Sequence, residues 1–372
     1  MGKDIEVGVV GAAGRGRGFF SAFVNNPRAA ITALCDLNEE GLRQTAADSG
    51  LGESCRLYTD YESMLDKAGV DAVVIGTPMH WHIPQAIMAL ERNIHVMSEV
   101  PAGVSIEECR QLVAAKKKSK AAYMMAENYC YFRDNVLVRR IAGAGLFGEL
   151  YYGEGAYIHE LKGLNEITKW RRKWQTGING NTYPTHSLGP VYQWFGNERV
   201  VEVCCYGSGH HYKDPRGDLY EQEDTTTTAC RLANGGLIEL RLDMLSNRPH
   251  NTTYYSLQGT KGCYESARGF GDRPKIYLME RHGEAVAWHD LGEFAEEFLP
   301  EEWLHQCEEA KRAGHGGGDY MEVLDFVEAV INGTEPPIGI HEAMDMTLPG
   351  LVSQQSIEQG SVWLDVPNSR DW

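Results

Sequence analysis

No run in this sequence reaches the roughly 18 apolar residues of a membrane-spanning helix, so no membrane partner is expected. Positive charge is scarce as well. Lys and Arg number 35 against 52 Asp and Glu, a formal net charge of −17. Such a chain repels phosphate backbones and anionic lipid, and nucleic acid is not expected as a partner. The nine cysteines are scattered and odd in number, no Cys-x-x-Cys pair occurs, and the only close pair is Cys204–Cys205. That argues against a disulfide framework and a structural zinc site, and no other recognised metal-ligand spacing is found. Internal repeats and low-complexity tracts are missing too. Met1-Gly2-Lys3-Asp4 runs directly into Ile5-Glu6-Val7-Gly8-Val9-Val10, with no stretch that reads as a signal peptide. With reduced thiols, a cytoplasmic location is expected.

What is present suits two domains. The 372 residues exceed one typical domain, and a hydrophobic fraction of 42% is enough to bury a sizeable core. The first third alternates short apolar strands with helical segments. Strands are expected at Val7–Val10, Ala30–Cys35, Ala72–Gly76, His95–Ser98 and Ala122–Ala126. Helices are expected after the first glycine turn and at Asn38–Ser49, Tyr61–Ala68, His82–Arg92 and Ser105–Lys118. Ser105 with Glu108 reads as a capping box. This alternation predicts a Rossmann doubly wound parallel sheet. The pattern changes near Glu127. A helix at Arg133–Ala144 precedes a strand at Leu150–Ile158, and Thr225–Leu232, Leu237–Met244 and Tyr254–Gly259 alternate with period two. These predict a C-terminal α+β domain with a large open, mostly antiparallel sheet. Helices return at Asp319–Ile331 and His341–Gln359. The expected domains are therefore 1–126 and 127–372.

The turn Gly11-Ala12-Ala13-Gly14-Arg15-Gly16 follows a strand and opens a helix. A dinucleotide site asks for G-x-G-x-x-G, whose glycines serve the tight turn, the approach of pyrophosphate and helix–strand packing. Gly11 and Gly16 fill the first and third places. Ala13 holds the second, and Gly14 supplies the flexibility it lacks. Asp36 ends the second strand, 25 residues after Gly11. A carboxylate there accepts both ribose hydroxyls and repels a 2′-phosphate, which favours NAD over NADP. Two more segments leave the carboxyl ends of strands, where ligands bind in such sheets. One is Gly76-Thr77-Pro78-Met79-His80-Trp81-His82, the other Ser98-Glu99-Val100-Pro101. The expected cofactor residues are thus Gly11, Ala13, Gly14, Arg15, Gly16, Asp36, Thr77, Pro78, His82 and Glu99.

Together these residues resemble the Gfo/Idh/MocA family of sugar oxidoreductases, over nearly the whole chain. That family usually carries Glu-Lys-Pro, where the lysine helps proton transfer at the oxidised carbon. Val100 replaces it here. Glu-Val-Pro is typical of a branch resembling glycoside hydrolase family 109, NAD-dependent glycosidases such as the α-N-acetylgalactosaminidases. Glu127-Asn128-Tyr129, Gly155-Ala156-Tyr157-Ile158-His159 and the eleven residues Gly180–Pro190 point the same way, as does His315-Gly316-Gly317-Gly318-Asp319-Tyr320. Ser187 departs from the branch, which has glycine there, and the connection from His159 to His186 is short.

The resemblance implies NAD-assisted cleavage of a glycoside. The sugar is oxidised at C3, loses its C2 proton, eliminates the C1 substituent, gains water and is reduced again. The implied catalytic candidates are Glu127, Tyr157, His159, Tyr183 and His186. Histidine titrates near neutrality and tyrosine donates to an oxyanion. His186 is the candidate for proton transfer, with Tyr183 as its donor neighbour. A plain NAD-dependent sugar dehydrogenase and a nucleotide-binding sensor without turnover remain as alternatives. A homo-oligomer formed through the open C-terminal sheet is also expected.

Overall fold

A computed structural model describes residues 4–51, 55–249 and 252–372. The chain packs as two compact units, one of Met1–Tyr131, Gln306–Met344 and Ser369–Trp372, the other of Phe132–His305 and Asp345–Asn368.

The first unit is built on six parallel strands: β1 (Ile5–Val10), β2 (Ala29–Cys35), β3 (Arg56–Tyr58), β4 (Ala72–Ile75), β5 (His95–Ser98) and β6 (Tyr123–Met125). Their order is β3-β2-β1-β4-β5-β6. The chain winds one way from β1 to β3 and the other way from β4 to β6, so a crevice opens between β1 and β4 at their carboxyl ends. Helices on both faces explain the apolar runs: Val7, Val9, Val73 and Val74 are fully buried. The helix starts follow local chemistry. The side chains of Asn38, Asp60 and Ser105 accept from the amides of Gly41, Ser63 and Glu108, respectively.

Residues 306–344 pack with this unit, whereas the sequence pattern groups everything after Glu127. The reason is local. The helix Gly318–Asn332 lies against the short turn Asn128–Tyr131 and the helix Phe20–Val24, and Asp319 near its start is tied to Arg15 and Asn128.

The second unit carries nine strands: β7 (Leu150–Ile158), β8 (Val200–Gly207), β9 (Thr225–Leu232), β10 (Leu237–Asp243), β11 (Thr253–Gly259), β12 (Gly262–Glu265), β13 (Lys275–Leu278), β14 (His289–Asp290) and β15 (Leu364–Asp365). They form one sheet in the order β14-β13-β12-β11-β7-β10-β9-β8-β15, antiparallel except for the β7–β10 pair. A two-residue strand sits at each edge. The helix Thr185–Trp194 presses on β7 through two glycines. A Cβ on Gly155 would stand 1.9 Å from the Ser187 carbonyl oxygen, and one on Gly153 would stand 2.6 Å from Val191. Among the described residues no helix is long and apolar enough to cross a membrane.

Candidate active site

The glycine turn after β1 is an interlock of three glycines. Gly11 takes φ +76°, a left-handed shape that favours glycine. A Cβ on Gly11 would meet Gly76 O at 2.5 Å, one on Gly76 would meet Gly16 N at 2.4 Å, and one on Gly16 would meet Val9 at 2.8 Å. Backbone from β1, β4 and the following helical turn therefore touches without side chains between. Gly14 differs: a Cβ there would meet only Gly11 O at 3.6 Å, so this side of the turn stays open. The Ala13 amide donates to Asp36 Oδ2 at 3.0 Å, and the Asn38 amide donates to Oδ1 at 2.9 Å. The carboxylate is thus fixed at the end of β2. A carboxylate offers about four acceptor positions, so lone pairs remain for a ribose diol. The open turn and the anchored carboxylate fit an NAD adenosine half, which Gly11, Ala13, Gly14, Gly16 and Asp36 could hold.

Three other expected cofactor residues are committed inside the protein. The guanidinium of Arg15 lies 2.5 Å from Glu99 Oε1 and donates twice to Asp319, at 3.1 Å each. Burial alone would lower its pKa, but Glu99 and Asp319 outweigh it and hold Arg15 above the ordinary value. Glu99 is only 7% exposed and also accepts from the Val100 amide. His82 has both ring nitrogens 2.8 Å from backbone carbonyls, those of Pro101 and Thr77. Carbonyls only accept, so they favour the imidazolium, yet complete burial wins and lowers the pKa. His82 therefore staples the β4 and β5 loops together. Thr77 donates its hydroxyl to Gln85 Oε1 at 2.6 Å, and Pro78 leads into the turn Met79–Trp81.

Asp319 is the hub of this region. Besides Arg15 it accepts from Asn128 Nδ2 at 2.8 Å and lies 2.9 Å from His315 Nδ1. Burial would raise its pKa, but the hydrogen bonds from His315 and Arg15 push it far down. The turn before it, His315-Gly316-Gly317, has positive φ at all three residues, which explains its glycines. Glu127 lies in the same unit, fully buried, with Oε1 accepting the Tyr129 amide at 3.1 Å.

The other four catalytic candidates meet in the second unit. Gly153, Gly155 and Tyr157 alternate on one face of β7. Where the glycines admit the helix Thr185–Trp194, the next residue on that face reaches its first turn. The Tyr157 and His186 rings lie 5.0 Å apart, Tyr183 and His186 5.0 Å, and Tyr157 and Tyr183 5.5 Å. Tyr157 Oη is 2.8 Å from His159 Nδ1. The loop carrying Tyr183 is pinned by Thr182 Oγ1 to the Gln175 carbonyl, Asn181 N to Ser353 Oγ and Gln222 Nε2 to the Gly180 carbonyl. Ser187, where the related branch has glycine, returns its hydroxyl to the Pro184 carbonyl at 3.0 Å. Two phenols and two imidazoles thus form one cluster able to pass protons.

Residues 131–370 match the glycosyl hydrolase 109 C-terminal domain, and residues 5–127 match the oxidoreductase family with an NAD-binding Rossmann fold. A glycosyl hydrolase family 109 protein of Saccharopolyspora erythraea is 30% identical over 393 residues, spanning 98% of this chain and 83% of that protein. The chain belongs to glycosyl hydrolase family 109. Another relative, the alpha-N-acetylgalactosaminidase of Shewanella oneidensis, is 28% identical over 98% of this chain and 84% of its own. In solved structures, levoglucosan dehydrogenase in complex with NADH and levoglucosan superposes with a TM-score of 0.82 at 21% identity, covering 98% of this chain and 99% of that one. The WlbA dehydrogenase of Bordetella pertussis, in complex with NADH and UDP-GlcNAcA, gives 0.77 at 21% identity over 98% of each chain. These two are likenesses of fold. The family 109 chain is thus an NAD-binding enzyme of an oxidoreductase fold whose relatives include glycosidases.

Sequence reasoning missed Glu322 in this family 109 chain. It is fully buried, and neither carboxyl oxygen has a hydrogen-bond partner among the described residues. Burial first, then nearby Asp319, Glu99 and Glu127, hold its pKa well above the ordinary value. Burial without a hydrogen-bond partner thus favours the protonated form of this carboxyl. A signal existed: Asp319, Glu322, Val323 and Phe326 share the spacing of one buried helix face. Keeping this proton costs stability once the unfolded chain would release it. The native state then binds more protons, so stability falls as pH rises above the ordinary carboxyl pKa of about 4.3. Glu322→Gln removes that loss. Its gain over wild type in urea unfolding grows from pH 4.5 to pH 8, by up to about 1.4 kcal/mol per pH unit. An equal gain at both values would mean that Glu322 is ionised.

One further group of possible ligands, His282, His289 and Glu293, places one donor atom each within 4.8 Å. The two imidazoles stack at 3.6 Å and 7°, and His282 Nδ1 accepts the Leu278 amide. Parallel rings so spaced cannot both aim an in-plane lone pair at one ion, and we do not read a metal centre here.

Proposed function

We propose that this chain is an NAD-dependent glycosidase that cleaves its substrate through transient oxidation at C3 and elimination across C2 and C1. The packed group of Tyr157, His159, Tyr183 and His186 carries this reading. It contains no carboxylate, whereas a direct displacement at C1 uses a pair of them. Val100, in the place of a proton-transferring lysine, supports it further.

NAD, when held at Gly11, Ala13, Gly14, Gly16 and Asp36, would supply reversible hydride chemistry for C3. The protein moves the protons. His186 is placed to take a proton from the C3 hydroxyl or from C2, and Tyr183, in edge contact with it, donates to the oxygen that becomes negative. The Tyr157–His159 pair forms a second acid–base unit. With the His159 proton on Nε2, the phenol donates to Nδ1, and a proton lost from Tyr157 has a neighbour to receive it. The C1–O bond then breaks as the leaving oxygen is protonated. Water adds at C1 and a proton returns to C2. Glu127 is given no proton-transfer step. Since one relative carries the name alpha-N-acetylgalactosaminidase, 2-acetamido sugars are the first substrates to try.

The test is incubation of aryl glycosides with a catalytic amount of NAD in D₂O. We expect phenol release without matching NADH, and a sugar product carrying deuterium at C2. Stoichiometric NADH would assign the chain to the sugar dehydrogenases instead. Turnover with no deuterium at C2, and no slowing by a C2-deuterated substrate, would overturn the elimination route.

A further inference from the structure

His186 is the second residue of the helix Thr185–Trp194. In an α-helix its carbonyl would accept from the amide four residues on. That residue is Pro190, which has no N–H and whose ring crowds this same carbonyl. The surroundings are closed to water, since His186 is 6% exposed and Ser187, Leu188 and Val191 are fully buried. A buried carbonyl needs a donor from somewhere. It comes from β11. Tyr255 Oη lies 2.5 Å from the His186 carbonyl oxygen. Tyr255 is itself 2% exposed, and its ring meets Trp194, at the far end of the same helix, edge-on at 5.8 Å and 74°.

We propose that Tyr255 is a positioning residue for His186, its hydroxyl standing in for the amide that Pro190 lacks. The proline pushes the carbonyl of the first turn outward, and Tyr255 holds it there. The same turn sets where the imidazole stands against Tyr157 and Tyr183. A loose first turn would leave that imidazole misplaced by a fraction of an ångström, and proton transfer is sensitive to such errors. The proposal builds on the reading of His186 as an acid–base group, but its geometric part can be measured separately.

The experiment compares Tyr255→Phe with Tyr255→Phe/Pro190→Ala. Phenylalanine keeps the packing on Trp194 and removes only the hydroxyl. Pro190→Ala restores a backbone amide within reach of the His186 carbonyl. For Tyr255→Phe we expect shifted ¹⁵N signals of the His186 ring and a kcat about 10- to 100-fold lower, with KM and NAD affinity near wild type. In the double variant the ring signals return and most of kcat with them. Unmoved signals in Tyr255→Phe would overturn the proposal. So would a loss that Pro190→Ala does not relieve, since that would mark a general packing defect. If wild-type protein cleaves no glycoside, shifted and then restored signals still uphold the positioning and overturn only the catalytic reading of His186.

Discussion

Replacing His186 with glutamine lowers glycoside turnover by roughly 10²–10⁴ and leaves NAD affinity near wild type. Glutamine keeps a hydrogen-bonding group of similar reach but cannot take up or release a proton. The rings of Tyr157 and Tyr183 each stand 5.0 Å from the His186 ring, and Tyr157 Oη lies 2.8 Å from His159 Nδ1. The rest of the cluster therefore survives the change while its central titrating group is lost. Tyr183→Phe should lose turnover on the same scale, because it removes the donor to the developing oxyanion. Steady-state kinetics with an aryl glycoside and calorimetric titration with NAD check both. A parallel loss of cofactor binding and of folding would instead make this segment structural.

Asp319→Ala should destabilise the first unit by about 3 kcal/mol, the low end for a broken buried ion pair, because the Arg15 side chain is 34% exposed and keeps some hydration. Four donor groups converge on this one carboxylate: two from Arg15, one from Asn128 and one from His315. Removing it strands them together. At the size of this unit the loss corresponds to a thermal transition lowered by on the order of 6–12 °C. Asp319→Asn, which keeps the shape and some of the hydrogen bonding, should cost less. The pH dependence has a definite sign. A carboxylate with a depressed folded pKa contributes stability that is present above its unfolded pKa and lost as the solution is acidified below it. The difference between wild type and Asp319→Ala should therefore shrink on going from pH 7 to pH 3. A constant difference across that range would remove the ionic account.

Much of the N-terminal unit was legible because its strands are buried on both faces and its helices announce their starts. Ser105 caps its helix as the capping box predicts, and in the second unit β7 spans the expected residues, Leu150–Ile158. β3 was not, since three largely exposed residues carry no pattern. β12 to β15 are two to four residues long, too short for alternation to show. β8 was missed although Val203 and Cys205 point inward between outward Glu202, Cys204 and Tyr206. The helix Thr185–Trp194 contains Gly189 and Pro190, which local propensity disfavours. It forms because Gly153 and Gly155 let it pack on β7, a fact written some thirty residues earlier in the chain. At the site, the Tyr and His candidates could be named from motifs. That Arg15, Glu99 and His82 spend their polar atoms on one another's loops could not. Such pairing joins residues as far apart as 15 and 319, and no local spacing encodes it.

The nine-stranded sheet has one more consequence. Its outermost strands, β14 and β15, are two residues each. An open sheet offers unpaired amides and carbonyls along its rims, which template the addition of foreign strands. Here the terminal strand on each rim offers an incoming segment a footing of only two residues. Very short outermost strands of this kind blunt the borders of a nine-stranded sheet against edge-to-edge pairing.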